Sequence, residues 1–321
     1  MHILITGAAG FLGSRLIRSL LAGPAGLLPI SRIVAADVAS SPIDDGRVVH
    51  RIGTITDPDF VRSIVEPGLD IVYHLAAALS GQSEAEFDTG MQVNVDATRG
   101  LLEACRRLSR APRVIFASTI AVFGGPLPDV VPENAVLRPQ SSYGTAKAIA
   151  ELLVHEYSRR GFIDGVACRL ATVAIRPGRP NSALSSFVSG IIREPLAGVT
   201  TVCPVPLETP VWISSPRTVT GNLAHAAGIS SAELDGERVL NFPGLRVTPG
   251  QMLDSLERLA GPAARARVRC EPDDRVARIV ASWPGALDAT RALRLGFTAD
   301  RHVDDVVREY MSEMIPGGTR A

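Results

Sequence analysis

Short apolar runs alternate with longer amphipathic stretches over the first half of the chain. HILIT at His2–Thr6 is apolar and β-branched, which predicts a strand buried on both faces. Glycines follow at Gly7, Gly10 and Gly13, and SRLIRSLLA then has the spacing of an amphipathic helix. Further strands are predicted at Ser31–Asp37, Asp70–Leu75 and Arg113–Ser118, with another inside Gly165–Ala174. Helices are predicted at Asp57–Val65, Met91–Leu108 and Tyr143–Arg160, the last with apolar positions at Ala146, Ile149, Ala150 and Leu153. Strands alternating with helices imply βαβ units and a parallel sheet.

The pattern changes near residue 175. Prolines from Pro177 to Pro210 mark a loop-rich stretch. Arg238–Asn241 reads as a strand and Thr248–Ala260 as a helix capped by Thr248. Asp273–Ala281, Asp288–Leu295 and Val303–Met314 read as helices. The expected fold is α/β: a Rossmann-type, doubly wound parallel sheet followed by a smaller, mostly helical C-terminal substrate domain. Residues 1–175 form the first domain in this reading, with 211–245 returning to it. Residues 176–210 and 246–316 form the second.

Charge and composition narrow the function. The chain has 321 residues with 33 cationic and 33 anionic side chains, so its formal net charge is zero. A nucleic-acid partner is not expected, because phosphate binding needs a basic excess. No apolar run reaches the roughly 20 residues of a membrane span, so no membrane partner is expected. MHILITGAAG lacks the basic region and cleavage site of a signal peptide. Cys105, Cys168, Cys203 and Cys270 are scattered with no CxxC pair, so neither a metal site nor a disulfide framework is expected. A cytoplasmic location follows.

One residue count changes the picture. Of the 33 cationic residues, Lys147 is the single lysine, leaving 32 arginines. Where arginine has replaced lysine almost everywhere, a surviving lysine marks a site that arginine does not serve. Lys147 follows Tyr143 by four residues, which puts both on one helix face. A free phenol is a poor base at neutral pH. A nearby ammonium and a positive nicotinamide ring favour the phenolate, which can then take a proton from an alcohol. Ser118 and Thr119 end a strand at the edge where ligands of an open α/β sheet sit, so either hydroxyl could hold the reacting oxygen.

GAAGFLG at 7–13 lies between a strand and a helix, where glycines let a pyrophosphate approach the backbone and the helix N-terminus. Asp37 ends the second strand and suits the adenosine ribose hydroxyls, which favours NAD over NADP. His74 ends a core strand and reads as structural, because Tyr143 already fills the role of base.

Taken together, these segments resemble the extended short-chain dehydrogenase/reductase family, which includes NDP-sugar epimerases and dehydratases. GAAGFLG, HLAA at 74–77, NVDAT at 94–98, STIAVFG at 118–124, YGTAK at 143–147, Arg169-Leu170 and LDATRALRLGF at 287–297 carry the likeness. The resemblance implies NAD as cofactor, with Phe11, Leu12, Ile55, Leu75, Ala76, Ala77, Asn94 and Leu170 joining Gly7, Gly10, Gly13, Asp37, Tyr143 and Lys147 around it. It puts Thr119 at the family's catalytic Ser/Thr, and it implies a homodimer. The family's usual acid after Gly53 is Thr54 here, and Trp212–Arg217 reads WISSPR where many nucleotide-sugar members have V-D-D.

SGQSEAEFD at 80–88, PQSSYGTAKAIAELL at 139–153 and RPGRPNSALSSFVSGIIREPL at 176–196 are similar to the branch that oxidises D-erythronate at C2 with NAD⁺. That similarity implies a small anionic polyhydroxy acid as substrate. Its carboxylate needs a cation, for which Arg176, Arg179 and Arg217 are candidates; Ser80 and Asn181 suit its hydroxyls or carboxylate. Two alternatives stay open. An NDP-sugar 4-epimerase or dehydratase would use NAD transiently, and a non-enzymatic dinucleotide sensor would need no base.

Overall fold

The fold is seen in a computed structural model that describes residues 1–23, 27–178 and 185–314. Its centre is a parallel sheet built from β1 (His2–Thr6), β2 (Arg32–Asp37), β3 (Val48–Ile52), β4 (Ile71–His74), β5 (Arg113–Thr119) and β6 (Asp164–Leu170). A seventh strand, Val239–Asn241, pairs parallel to β6 and completes the order seventh–β6–β5–β4–β1–β2–β3. The order reverses between β1 and β4, and a crevice opens there beyond the strand C-termini.

Apolar strand residues face both ways because helices cover both sides. One core holds Ile3, Ile5, Ile33, Tyr73 and Ile115 with Leu16 and Leu20 of α1 (Phe11–Leu21). The opposite core holds Leu4, Val34, Val72 and Phe116 with Val61 and Ile64 of α2 (Pro58–Ile64), Leu101 and Leu102 of α5 (Ala97–Arg106), and Ala150 and Val154 of α6 (Ser142–Arg159). Between α2 and α5 lie two short helices, α3 (Ser80–Ala85) and α4 (Phe87–Met91).

A second core joins Val188, Ile191 and Ile192 of α7 (Ser186–Leu196) to Met252, Leu253, Leu256, Val306, Val307 and Tyr310. This part is not purely helical. Thr172–Val173, Val211–Ser214 and Leu245–Val247 make a three-stranded sheet, and Thr201–Cys203 pairs with Val268–Cys270.

The expected division of the chain is redrawn in two places. Val211 and Ile213 pack in the second core, and the return to the main sheet starts with the helix Pro216–Ala226. Ala292 and Phe297, expected in the second domain, pack in the first core. Several elements lacked a sequence signal, among them β3, α3, α7, the helix Pro216–Ala226 and the short strands Thr201–Cys203, Val211–Ser214, Leu245–Val247 and Val268–Cys270. The helix expected at Met91–Leu108 is instead α4, a π-helical stretch Gln92–Asp96, and α5.

Candidate active site

A cleft of about 1130 Å³ lies over the strand C-termini at the reversal point, walled on its far side by the second core. Its floor begins at the turn after β1. Gly7 has φ +73°, and a Cβ there would lie 2.7 Å from the Ala76 nitrogen. A Cβ on Gly13 would lie 2.1 Å from the Gly7 carbonyl oxygen. Neither position has room for a side chain. No side chain caps α1, and its first turn carries no acid, so its N-terminal N–H groups and positive dipole end face the crevice. The Asp37 carboxylate accepts the Ala9 N–H at 2.9 Å and lines the cleft. A bare turn, an uncapped helix and a strand-end carboxylate fit the pyrophosphate and ribose of a dinucleotide.

Ile55, Leu75, Ala76, Ala77 and Leu170 line the same cleft, as do Gly10, Phe11 and Leu12. Asn94 does not. Its buried carboxamide accepts the Ala78 N–H at 2.9 Å, donates to the Ala78 carbonyl at 3.1 Å and donates to the Ser83 hydroxyl at 3.2 Å. Its amide is used up holding the loop after β4, so the expected direct contact with cofactor is corrected to a supporting one.

The reactive side chains meet where β5 ends and α6 begins. Ser141 caps α6 by accepting the Gly144 N–H at 3.1 Å, and Tyr143 follows in the first turn. Lys147 lies one turn on. Its ammonium is buried and donates to the Ala117 carbonyl at 2.9 Å, 4.6 Å from the Phe116 ring centre and 5.7 Å from that of Tyr143. Thr119 lines the cleft and accepts the Ala121 N–H at 3.1 Å, leaving its own hydroxyl proton to donate. Ser118 also borders the cleft, but its buried hydroxyl donates to Glu151 at 2.5 Å. Its expected catalytic role is therefore corrected, and Thr119 is the available hydroxyl.

Electrostatics refine the expected division of labour. Burial pushes the Tyr143 phenol up to about 12, and the cation opposing that rise is Arg176. Burial pulls Lys147 down to about 7, with Glu151 opposing it. Arg176 is thus a second cation near the phenol, with the Lys147 ammonium 5.7 Å from its ring centre. Arg176 is itself held in place through its backbone. Its N–H donates to the Ser189 hydroxyl at 3.0 Å, and its carbonyl accepts Arg193 Nη1 at 2.8 Å. Its guanidinium has no hydrogen-bonding or ion-pair partner among the described residues, and burial with the nearby Arg193 lowers its pKa. Arg193 is paired with Glu194 at 2.6 Å.

Arg217 is elsewhere. It starts the helix Pro216–Ala226, is 73% exposed and lies 4.0 Å from Glu309, outside the cleft, which corrects its expected substrate contact. Ser80 lines the cleft at the start of α3. Asn181 and Arg179 lie outside the described residues. The cleft also has residues without a sequence signal: Glu84 and Gln140 on one side, and Arg275, Ile279, Ser282 and Trp283 from the helix Asp274–Ala281 and the residues after it. Amphipathic spacing predicts that helix, but not which face meets a cleft built from distant residues.

His74 is buried between Thr6, 2.7 Å from Nδ1, and Thr98, 2.9 Å from Nε2. Burial pulls its pKa down to about 3. It ties β4 to β1 and α5, as a structural histidine should.

The sequence profile of the NAD dependent epimerase/dehydratase family matches residues 3–209. A D-erythronate dehydrogenase of Cupriavidus necator is 50% identical over 319 residues, covering 98% of each chain. A D-erythronate dehydrogenase of Haemophilus influenzae is 42% identical, covering 97% of this chain and 99% of its own. Among solved structures, a nucleoside-diphosphate-sugar epimerase from Agrobacterium tumefaciens superposes with TM-score 0.93 at 40% identity, over 99% of this chain and 95% of its own. No helix among the described residues is long and apolar enough to cross a membrane.

Proposed function

Because the chain belongs to the NAD dependent epimerase/dehydratase family, we propose that it is an NAD-dependent dehydrogenase that oxidises the C2 hydroxyl of D-erythronate to 2-oxo-tetronate. The observation that carries this reading is the half-buried Arg176, which lines the cleft with Tyr143 and whose guanidinium has no hydrogen-bonding or ion-pair partner among the described residues. A desolvated arginine without a protein anion is a ready partner for a small substrate's carboxylate, which it can bind with two parallel hydrogen bonds. The two D-erythronate dehydrogenases, similar over nearly the whole chain, support the same substrate.

The Gly7–Gly13 turn and α1 N-terminus hold the pyrophosphate, Asp37 holds the adenosine ribose, and Lys147 holds the nicotinamide ribose. Bound NAD⁺ supplies the hydride acceptor. Arg176 fixes the substrate carboxylate, so that C2 and its hydroxyl face Tyr143. Thr119 donates to the reacting oxygen. Tyr143 removes the hydroxyl proton, and Ser80 binds a hydroxyl further along the chain. The Lys147 ammonium near the phenol favours the phenolate, against the rise that burial causes.

The protein works as a cytoplasmic homodimer in this reading.

The test is NADH formation from NAD⁺ with purified protein and a panel of D-erythronate, L-threonate and UDP-sugars. NADH with D-erythronate alone is the expected result. The similarity to a nucleoside-diphosphate-sugar epimerase favours a second reading. Conversion of a UDP-sugar without net NADH would replace the first reading by that one.

A further inference from the structure

Tyr143, Lys147 and Glu151 follow one another at four-residue steps on α6, so they stack along one helix face running from the cleft into the core. Glu151 is at the buried end. Its side chain is 3% exposed, and Arg169 of β6 grips it with Nε at 3.0 and 3.2 Å from the two oxygens and Nη2 at 2.8 Å. The Ser118 hydroxyl donates to the same carboxylate. Arg169 has further partners: Nη1 donates to the Glu133 carbonyl at 3.0 Å, and the guanidinium lies 4.7 Å from the Phe123 ring centre.

A buried ion pair is weak support for a fold, since well-packed apolar residues often do as well or better. The position of this one needs another reason. Lys147 has no ion pair of its own among the described residues. The groups facing it are Tyr143 and Glu151 on its own helix, neutral His74 on β4, and the Phe116 ring, Ala117 carbonyl and Ser118 on β5; Arg169 on β6 stands behind Glu151. Of these, Glu151 is the one anion.

We propose that Glu151 is a positioning residue for the reaction: its carboxylate, fixed by Arg169 and Ser118, keeps the desolvated Lys147 protonated and holds the strand end that carries Thr119. Arg169 fixes the carboxylate but partly offsets its charge. Removing the carboxylate and removing the arginine break the same ion pair, yet only the first should lower the proton affinity of Lys147. The lowered pKa of Lys147, which Glu151 opposes, agrees with this.

The inference rests on the assignment of Lys147 to the nicotinamide ribose, but its test does not need turnover. Because Lys147 is the only lysine, protein grown with ¹³Cε-lysine gives a single lysine resonance. Its titration midpoint is read in cofactor-free protein, beside the melting temperature. Glu151→Gln should lower the midpoint by about one pH unit, a tenfold loss in proton affinity. Arg169→Gln should leave it unchanged or raise it, and Glu151→Asp should restore most of the native value. Both Gln variants should melt earlier. In the enzyme assay, Glu151→Gln should lose activity at a lower pH on the alkaline side. A Glu151→Gln midpoint equal to the native one, or equal downward shifts in both Gln variants, would overturn the proposal. Absence of NADH formation from sugar acids by the native protein would strike the substrate assignment and leave the titration readable.

Discussion

Asn94 holds the Ala78 peptide from both sides, accepting its N–H and donating to its carbonyl. The π-helical stretch Gln92–Asp96 carries Asn94, and Thr98 one turn later donates to the Asn94 carbonyl at 2.9 Å. The loop leaving β4 forms one wall of the cleft, and Asn94 fixes where it runs together with Ser83, whose hydroxyl donates to the Ala78 carbonyl at 3.3 Å.

Asn94→Ala leaves the buried Ala78 N–H without a partner. A loss of about 1–3 kcal/mol in stability is expected, read by urea unfolding. NADH affinity should fall with it, because Ala76 and Ala77 lie just upstream of the released peptide. Unchanged affinity, measured by fluorescence titration, would show that the loop holds its course without the amide.

Tyr143→Phe keeps the ring and removes the proton carrier. NADH binding should persist, while turnover falls by about 10²–10⁴-fold, the usual worth of general base catalysis. Normal turnover would remove Tyr143 from the reaction.

Arg176→Gln should raise KM for the sugar acid roughly 10–100-fold, from the loss of a charge-assisted pair worth about 1.5–3 kcal/mol. The effect on NADH binding should be small. Arg217→Gln is the control, because its exposed guanidinium is outside the cleft; its steady-state constants should stay within about twofold, as for most surface substitutions.

His74 links pH to stability. The folded protein holds its imidazole neutral down to about 3, whereas the unfolded chain protonates it below its ordinary 6.5. Its contribution is therefore present above 6.5 and is lost as pH falls from 6.5 towards 3. Melting temperatures between these values should drop less steeply in His74→Gln than in the native protein. Parallel curves for the two would assign the acid sensitivity to other groups.

Which parts of this were legible along the chain depended on range. The alternation of apolar strands and amphipathic helices identified the sheet, since strands buried on both faces need continuous apolar runs. The edge strand β3 escaped because it has a neighbour on one side only, and VVHRI mixes His50 and Arg51 into the run. Helix α7 was hidden by Pro195, which falls in its last turn, where little helix remains to disrupt. Its buried Val188, Ile191 and Ile192 have helical spacing, but too few turns to stand out among prolines.

The sequence by itself determined the chemistry that depends on neighbours along the chain. The turn at Gly7 to Gly13 needs local dihedrals and close approach, and the Tyr143–Lys147 face needs a four-residue step. Tertiary structure decided which charges meet. Arg176 and Arg217 read alike as candidates for the substrate carboxylate, yet one lines the cleft with its guanidinium unpartnered among the described residues and the other faces solvent beside Glu309. Ser118 and Thr119 are adjacent hydroxyls, yet alternation along β5 sends the first to Glu151 and leaves the second on the cleft. Glu151 drew no notice in the sequence, and its pairing follows only from β6 setting Arg169 against it. Desolvation and Coulomb fields act through space, so the pairing that sets each group's charge is fixed only when distant strands and helices close around it.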